Sequence, residues 1–354
     1  MNQPKSTFFR ENRGILIFML AMLALPFIVG WVEGSSLSMV WRNEGTISKF
    51  MAGLGIEIFI LALFALSYDL LFGVTGLLSF GHSMFFATAA YATGIAIKNY
   101  SLPFWAIILV IIGTAVLQAL LFSLVLTRGK GVTFTLVSLG LASMFHIIVM
   151  SSELVEFTGA DVGLQGVIVP DFINPASQRL RFYAVAILLL VGAYIFYRRF
   201  VNSPSGRVCV AIRENEGRAK MLGYNTTIFK VLVLLISSLT ASLAGFLHAL
   251  YQPIVSPNVS GLGYTVTGLL IVLIGGVGTL NGAIIGAFVF RLLEYFLRRF
   301  IGESASFITG AIYVVFVLFI PYGIVGSWRL RRFNFKEGWQ RLRQTVFPSQ
   351  GEGS

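Results

Sequence analysis

Residues 103–126 read PFWAIILVIIGTAVLQALLFSLVL and contain no charged side chain. A helix needs roughly 20 mainly apolar residues to cross the hydrocarbon core of a bilayer. This run is long enough, and nothing in it requires contact with water. It therefore predicts a transmembrane helix, and it decides the class of fold because comparable runs recur along the chain.

The composition of the whole chain agrees with that prediction. Of its 354 residues, 56% are hydrophobic and only 12% are charged, and the mean hydropathy is +0.83. Soluble domains carry about 25% charged residues, so the composition excludes a soluble globular protein and makes membrane lipid the expected surroundings. The net charge of +11 is concentrated in short segments between apolar runs, which is typical of membrane proteins and argues against nucleic-acid binding.

Ten apolar segments predict an all-α, polytopic transmembrane helix bundle of about ten spans (eight to ten), folded as one domain over residues 1–354. The first segment is interpreted as an uncleaved helix, because it is long enough to span and no small-residue cleavage site follows it. The third, eighth and ninth segments are rich in glycine and are predicted to be broken or re-entrant. The segments are 14–32, 51–71, 76–97, 103–126, 131–151, 182–198, 229–251, 263–280, 282–297 and 305–322.

The distribution of charge predicts the orientation. The loop 152–181 is acidic on balance, whereas the loop 198–228 and the tail 327–354 are strongly basic. Cytoplasmic loops carry the excess of lysine and arginine. Ten spans with both termini in the cytoplasm place these basic segments inside, with Arg298 and Arg299 as the exception.

The chain lacks the motifs of an enzyme. It has no G-x-x-x-x-G-K-[ST] loop to bind nucleotide phosphates. Its single cysteine, Cys209, excludes an internal disulfide and any paired-cysteine metal site. We expect no cofactor and no metal. An active transporter built from this chain needs either an ion gradient or a separate ATPase.

Ionisable residues inside the apolar segments bear on the ion-gradient alternative. No acid–histidine cluster occurs among them at helical spacing, and Arg291 predicts a local ion pair with Glu294. A secondary transporter or channel working alone is therefore disfavoured, as is a membrane enzyme, because no convergent catalytic set is present. The residues are Glu57, Asp69, His82, His146, His248 and Glu294.

Two glycine-rich regions are unusual for lipid-facing helices. Broken backbone inside a membrane marks substrate sites in many transporters, although close helix packing explains such glycines equally well. The candidate translocation pathway comprises Gly76, Ser79, Phe80, Gly81, His82, Gly275 and Gly276. Gly278, Gly282 and Gly286 form two overlapping G-x-x-x-G spacings and predict a smooth helix face for packing.

The basic loop 198–228 contains a segment too polar to span. Asn202 or Ser203 can cap a helix that begins at Pro204, and Gly223 is placed to end it. The pattern predicts a short amphipathic helix on the cytoplasmic side. On physical grounds it is either a solvated surface helix or a handle for a peripheral partner.

From about residue 50 to 330, the sequence resembles branched-chain amino acid ABC transporter permeases of the LivM-like kind. Each block that carries the resemblance is weak alone, but their order is specific. The blocks are TGLLSFGH at 75–82 with Phe85 and Phe86, Arg128-Gly129, FTGADVGL at 157–164, AIRENE at 211–216, GGVGTL at 275–280 with Gly282, and PYGIVG at 321–326.

The resemblance implies an importer subunit of the bacterial inner membrane. Its implied partners are a second related permease, two ABC ATPase subunits and a periplasmic substrate-binding protein. Its implied cargo is a branched-chain or other hydrophobic amino acid, moved by alternating access, with urea or short-chain amides as the alternative. The implied ATPase-coupling residues are Arg213, Glu214, Asn215, Glu216, Ala219 and Gly223, with Gly217 and Arg218 departing from the usual small or apolar residues.

Overall fold

The computed structural model describes residues 5–34, 39, 46–128, 131–320 and 322–330. The predicted basic tail lies outside these ranges from residue 331 onward, as do Gly129 and Pro321. Within them the chain forms thirteen α-helices. They are α1 (Lys5–Val32), α2 (Thr46–Asp69), α3 (His82–Lys98), α4 (Phe104–Arg128), α5 (Val132–Met150), α6 (Val155–Thr158), α7 (Arg179–Asn202), α8 (Pro204–Met221), α9 (Thr226–Tyr251), α10 (Leu262–Gly275), α11 (Leu280–Ile301), α12 (Ala305–Phe319) and α13 (Gly323–Leu330).

Six of these helices, α2, α4, α5, α7, α9 and α11, are long and apolar enough to cross a membrane. Shorter apolar stretches lie in α1, α10 and α12. Each of the ten predicted apolar segments covers most of one helix, so the all-α, multi-pass class is confirmed. The count of about ten crossings and the orientation stay predictions.

Helix α9 lies at the centre of the bundle and packs against α2, α3 and α4. Three buried serine hydroxyls on α9 each donate a hydrogen bond to a backbone carbonyl of a different neighbour. Such hydroxyls join helices in lipid, where apolar contact alone gives little net attraction. The bonds run from Ser237 to the Ser67 carbonyl on α2, from Ser238 to Ala115 on α4 (2.7 Å) and from Ser242 to Phe85 on α3 (3.2 Å).

The closest approach between α9 and α3 is at Gly245. A Cβ atom there would collide with the backbone carbonyl of Phe86. The two helix backbones therefore touch, and glycine is the residue that permits it.

Helices α10 and α11 form a second close pair beside α2. Gly282 and Gly286 on α11 face the backbone of α10, where a Cβ on either would meet Gly275 or Ile271. Gly278 does not belong to this face. Its φ is +75°, which is a left-handed conformation, and α11 begins only at Leu280. Gly278 therefore lies in the turn before the helix, and the prediction that it shares a helix face with Gly282 and Gly286 is wrong.

Both glycine-rich regions interrupt their helices, as expected. Helix α2 closes in a π-helical turn, Leu70–Val74, and residues 75–81, which we name the first break, form no helix before His82. Residues 276–279, the second break, separate α10 from α11, with Gly276 at φ +117°. Glycine tolerates such positive φ values because it lacks a Cβ.

The two ends of α9 give names to the two ends of the bundle. Its first turn, at Thr226, follows α8, and we call this the coupling end. Its last residue, Tyr251, leads to a two-residue antiparallel ribbon in which Leu164–Gln165 pairs with Ile254–Val255. A 26-residue helix spans roughly 39 Å, so this ribbon marks the opposite end, called the far end below.

Candidate coupling site and central cavity

Helix α8 begins as the sequence predicts. Ser203 is the N-cap, its Oγ accepting a hydrogen bond from the Gly206 amide at 3.2 Å, and Pro204 occupies the first turn. A side chain at Gly206 would collide with the carbonyls of Phe200 and Val201. The turn from α7 into α8 is therefore tight, and it sets the direction in which α8 leaves the bundle.

The predicted single amphipathic helix is in fact two helical arms joined at Asn215. The backbone there is extended (φ −161°, ψ 99°), and the Asn215 Oδ1 accepts a hydrogen bond from the Arg218 amide at 2.9 Å. This is the N-cap arrangement that satisfies a free amide at the start of a helix. Asn215 thus ends the first arm, on which the exposed Glu214 lies, and starts the second.

The second arm ends at Gly223 in a Schellman motif. The Tyr224 amide donates to the Ala219 carbonyl (3.3 Å) and the Gly223 amide to the Lys220 carbonyl (2.9 Å), with Gly223 at φ +87°. This pairing satisfies carbonyls that a helix end leaves open. Met221 and Leu222 just before it are 88% and 70% exposed, so the segment ends in a projecting apolar tip.

Ala219 faces the opposite way from the tip. It is buried with Val208 and Ile212 of the first arm, and Phe229 of α9 packs against the same cluster. The two arms of α8 are thereby held against each other and against the start of α9.

Glu216 ties the second arm to α9 by charge. Its carboxylate accepts from Lys230 Nζ at 2.6 Å and Thr226 Oγ1 at 3.0 Å, and it pairs with Lys220 at 3.1 Å. Partial burial raises the pKa of the Glu216 carboxyl, but the hydrogen bonds from Lys230 and Lys220 outweigh this and lower the pKa to about 2. The carboxylate is therefore charged throughout the physiological pH range.

Arg213 connects α8 to both breaks. Its guanidinium donates to the Gly73 carbonyl in the π-helical turn, its stem packs on Gly76, and its Nη1 lies beside Gly278. The buried Asp69 completes the joint, because its Oδ1 accepts from the Gly278 amide at 2.7 Å. A cavity of about 340 Å³ adjoins this joint, bounded by the first break, the start of α5 and Ile212, Arg213, Glu216 and Lys230.

Most predicted pathway residues in the first break, and His82 next to it, are packed inside the chain. His82 Nε2 lies 2.8 Å from Ser67 Oγ, and both residues are fully buried. The Phe80 amide donates to Ser138 Oγ on α5 (3.1 Å), and Gly81 lies against the Ser138 carbonyl. The Ser79 Oγ accepts from the Gly81 amide at 3.3 Å.

The remaining pathway candidates lie at the second break. Gly275 contacts the Gly282 backbone, and Gly276 lies against Tyr322 and Gly326. Of the seven predicted residues, Gly76 alone lines one of the two cavities described here, the smaller one. Their role in translocation stays a prediction.

A larger cavity of about 730 Å³ lies toward the far end. It contains four of the six ionisable residues that the apolar segments carry: Glu57, His146, His248 and Glu294. Along the sequence these four residues are far apart, and the fold gathers them around one space. The lining is Glu57, Ile60, Leu61, His146, His248, Gln252, Ser256, Asn258, Val259, Gly261, Gly263, Tyr264, Thr267, Phe290, Arg291, Glu294 and Arg298.

Four charged side chains form a chain of ion pairs along one wall of this cavity. Arg291 donates to Glu57 Oε2 from Nε at 2.6 Å and to Glu294 Oε2 at 2.7 Å, and Arg298 reaches Glu294 Oε1 at 2.8 Å. The predicted local pair of Arg291 with Glu294 is confirmed. The sequence analysis did not predict that Glu57 pairs with Arg291 across the bundle. The one available signal was the helical spacing of Arg291, Glu294 and Arg298, which places three charged residues on one face of α11.

The relatives of this chain among known proteins are transport permeases. Residues 50–320 match the family model described as "Branched-chain amino acid transport system / permease component". The chain is 25% identical to the high-affinity branched-chain amino acid transport system permease protein LivM of Escherichia coli (strain K12) over 339 residues, which cover 87% of this chain and 74% of that protein.

Two further relatives widen the comparison. The chain is 30% identical, over 38% of its length and 40% of the other protein, to the probable branched-chain amino acid transport permease protein LivM of Methanocaldococcus jannaschii. It is 23% identical, over 75% of its length and 91% of the other protein, to the permease protein LivH of Escherichia coli (strain K12). No solved structure matches. The family model covers most of the chain, and the protein therefore belongs to the permease components of branched-chain amino acid transport systems.

Proposed function

We propose that this chain is the membrane-spanning subunit of an ABC importer that moves branched-chain or other hydrophobic amino acids across the bacterial inner membrane. The observation that carries the proposal is the form of α8. It is a capped, kinked segment with an exposed apolar tip, and Arg213 connects it directly to both helix breaks. A segment that only covered a surface would not need such connections to the interior.

The proposed mechanism uses these contacts. A separate pair of ATPase subunits docks on the tip at Met221 and Leu222, and nucleotide-driven closure of the ATPases moves α8. Arg213 and Glu216 transmit that movement to the π-helical turn, the second break and α9. The bundle then alternates between an outward-open and an inward-open state, because packed helices shift between discrete arrangements.

The remaining parts of the importer are proposed from the family. The relatives include proteins named LivM and proteins named LivH, which supports pairing with a second, related permease. Two ATPases and a periplasmic binding protein complete the complex. In this proposal the chain crosses the membrane about ten times, and both of its termini and α8 are on the cytoplasmic side.

Reconstitution tests the proposal. The chain is co-expressed with a related permease, an ABC ATPase and a periplasmic binding protein of the same organism, and the purified complex is placed in proteoliposomes. We expect ATP-dependent uptake of L-leucine that requires the binding protein and exceeds uptake of urea. Uptake of urea or acetamide in place of leucine would favour the alternative cargo, and ATP-independent uptake by the chain alone would contradict the importer.

Gly223→Val should lower ATP-dependent uptake by roughly tenfold. Non-glycine residues in the left-handed conformation cost about 1–2 kcal/mol, and a factor of ten corresponds to 1.36 kcal/mol, so the Schellman end and the tip it supports should rearrange. Uptake and ATPase activity are measured in parallel. Gly223→Asn is the matched control, because asparagine tolerates positive φ and the space around Gly223 is open. Equal losses in both variants would argue against a role for the backbone conformation.

A further inference from the structure

The 730 Å³ cavity combines features that a purely structural ion pair does not require. Arg291 and Glu57 alone would join α11 to α2, yet two more charges, Glu294 and Arg298, extend the chain of pairs into the open space. Each charged side chain within a membrane is costly. Such residues therefore point to a function beyond holding the two helices together.

The position of the cluster fits a ligand site on a transport path. Glu57 lies near the middle of α2 (Thr46–Asp69), roughly 18 Å from Asp69 at 1.5 Å per residue. Arg291 lies at a similar distance from the second break along α11. The cluster is therefore close to mid-bundle, and the cavity extends from it toward the ribbon at the far end. Transporters commonly bind their cargo near the bilayer midplane.

The charges of the lining select a class of ligand. Two arginines and two glutamates line the cavity, so their formal charges sum to zero. A cation or an anion of net charge would leave one charge in the cavity without a partner of opposite sign. A zwitterion would not, because its carboxylate can pair with an arginine of the lining and its ammonium group with a glutamate.

Two of the four side chains have bonding capacity that faces the cavity. The Arg298 side chain is 65% exposed and contacts Glu294 through Nη2, so its fork is open to a carboxylate, which arginine binds with paired N–H groups. Glu57 uses Oε2 for Arg291, whereas its Oε1 receives only a long 3.4 Å contact from Gln252. This oxygen is suited to accept from an ammonium group.

One part of the remaining wall is apolar, and another part carries polar side chains, among them His146, His248 and Gln252. Side chains of Ile60, Leu61, Val259 and Phe290 line the same space. A volume of about 730 Å³ lies within the usual range for small-molecule sites, which are mostly apolar with a few placed polar groups. These four side chains suit an aliphatic side chain of the ligand.

We propose that this cavity binds one zwitterionic amino acid with an aliphatic side chain, with Arg298 holding its carboxylate and Glu57 its ammonium group. The assignment rests on the proposed importer function and names the contacts that the permease itself makes with the cargo. Glu294 and Arg291 are positioning residues that hold Arg298 and Glu57 in place.

Equilibrium binding of radiolabelled L-leucine to the purified permease–ATPase complex, without the binding protein, tests the assignment. We expect saturable binding, with Arg298→Gln weakening it at least tenfold through loss of a charge-assisted contact. Arg299→Gln is the matched control, since Arg299 contacts Tyr295 and is not part of the lining. That variant should bind leucine like the unmodified complex.

Competing compounds identify which end of the ligand each residue holds. Against the unmodified complex, 4-methylpentanoate and 3-methylbutylamine, which each lack one charge, should compete at least tenfold less well than leucine. In Arg298→Gln the difference in affinity between leucine and the amine should shrink, because the contact with the carboxylate is already lost. In Glu57→Gln the difference between leucine and the acid should shrink for the corresponding reason. Thermal unfolding of each complex is recorded beside these measurements, so that a binding loss is attributed to the site only where the unfolding temperature is kept.

The two proposals fail in different ways. No saturable binding up to millimolar leucine, or unchanged binding and competition in both variants, would overturn the cavity assignment while ATP-driven leucine uptake left the importer intact. A complex that transports urea and not leucine would overturn the proposed cargo and the cavity assignment together.

Discussion

Gly245→Leu should prevent the chain from accumulating as a folded, monodisperse protein. A Cβ at this position already collides with the Phe86 carbonyl, and backbone atoms cannot rotate away as a side chain could. Relief requires α9 to separate from α3, which also pulls the Ser242 hydroxyl from Phe85. The cost should exceed the roughly 1–3 kcal/mol of a typical overpacked core.

Size-exclusion profiles and thermal unfolding of the detergent-solubilised protein measure this effect. Gly192→Leu on α7 is the matched control, because nothing lies within 4 Å of a Cβ built there, and it should keep the unmodified yield. Gly245→Ala should fall between the two. Equal yields for Gly245→Leu and Gly192→Leu would show that α9 and α3 are not in backbone contact.

Arg213→Met should uncouple ATP hydrolysis from uptake. The substitution keeps much of the stem that packs on Gly76 but removes the guanidinium that bonds the Gly73 carbonyl and lies beside Gly278. Hydrogen bonds to charged groups contribute about 1.5–3 kcal/mol, so leucine uptake per ATP hydrolysed should fall by roughly ten- to a hundredfold. The measurement is the ratio of uptake to phosphate release in proteoliposomes.

Two variants serve as references for that ratio. Arg207→Met removes an exposed arginine from the same arm of α8 and should leave the ratio unchanged. Arg213→Lys keeps the charge without the planar fork and should give an intermediate value. A normal ratio in Arg213→Met would mean that the movement reaches the bundle by another route.

The sequence was sufficient for the ten apolar helices and for the class of fold. Apolar runs such as 103–126 report burial in lipid directly, and the ends of α8 follow from the local chemistry of Ser203, Pro204 and Gly223. Such features depend on residues that are neighbours in the chain, so no knowledge of the tertiary structure is needed.

What escaped prediction depends on backbone choice or on distant contacts. Gly278 fits a G-x-x-x-G spacing, but the spacing cannot reveal that its φ is positive. Asn215 is compatible with a helix interior, and only the structure shows that it caps the Arg218 amide. The pairing of Glu57 with Arg291 joins helices at opposite ends of the chain, and no local pattern contains that information.

Helix α2 carries Glu57 at the central cavity and Asp69 at the joint made by Arg213 and Gly278. A single helix therefore joins the charge cluster to the joint at the coupling end, roughly 18 Å away. If α2 tilts as a rigid body, a displacement of one end moves the other end directly, and no series of side-chain rearrangements between the two sites is required. Because such coupling is reciprocal for binding equilibria, cargo bound among the four charges should change the affinity of the ATPase subunits for nucleotide. Bound nucleotide should change the affinity of the cavity for cargo in the same proportion.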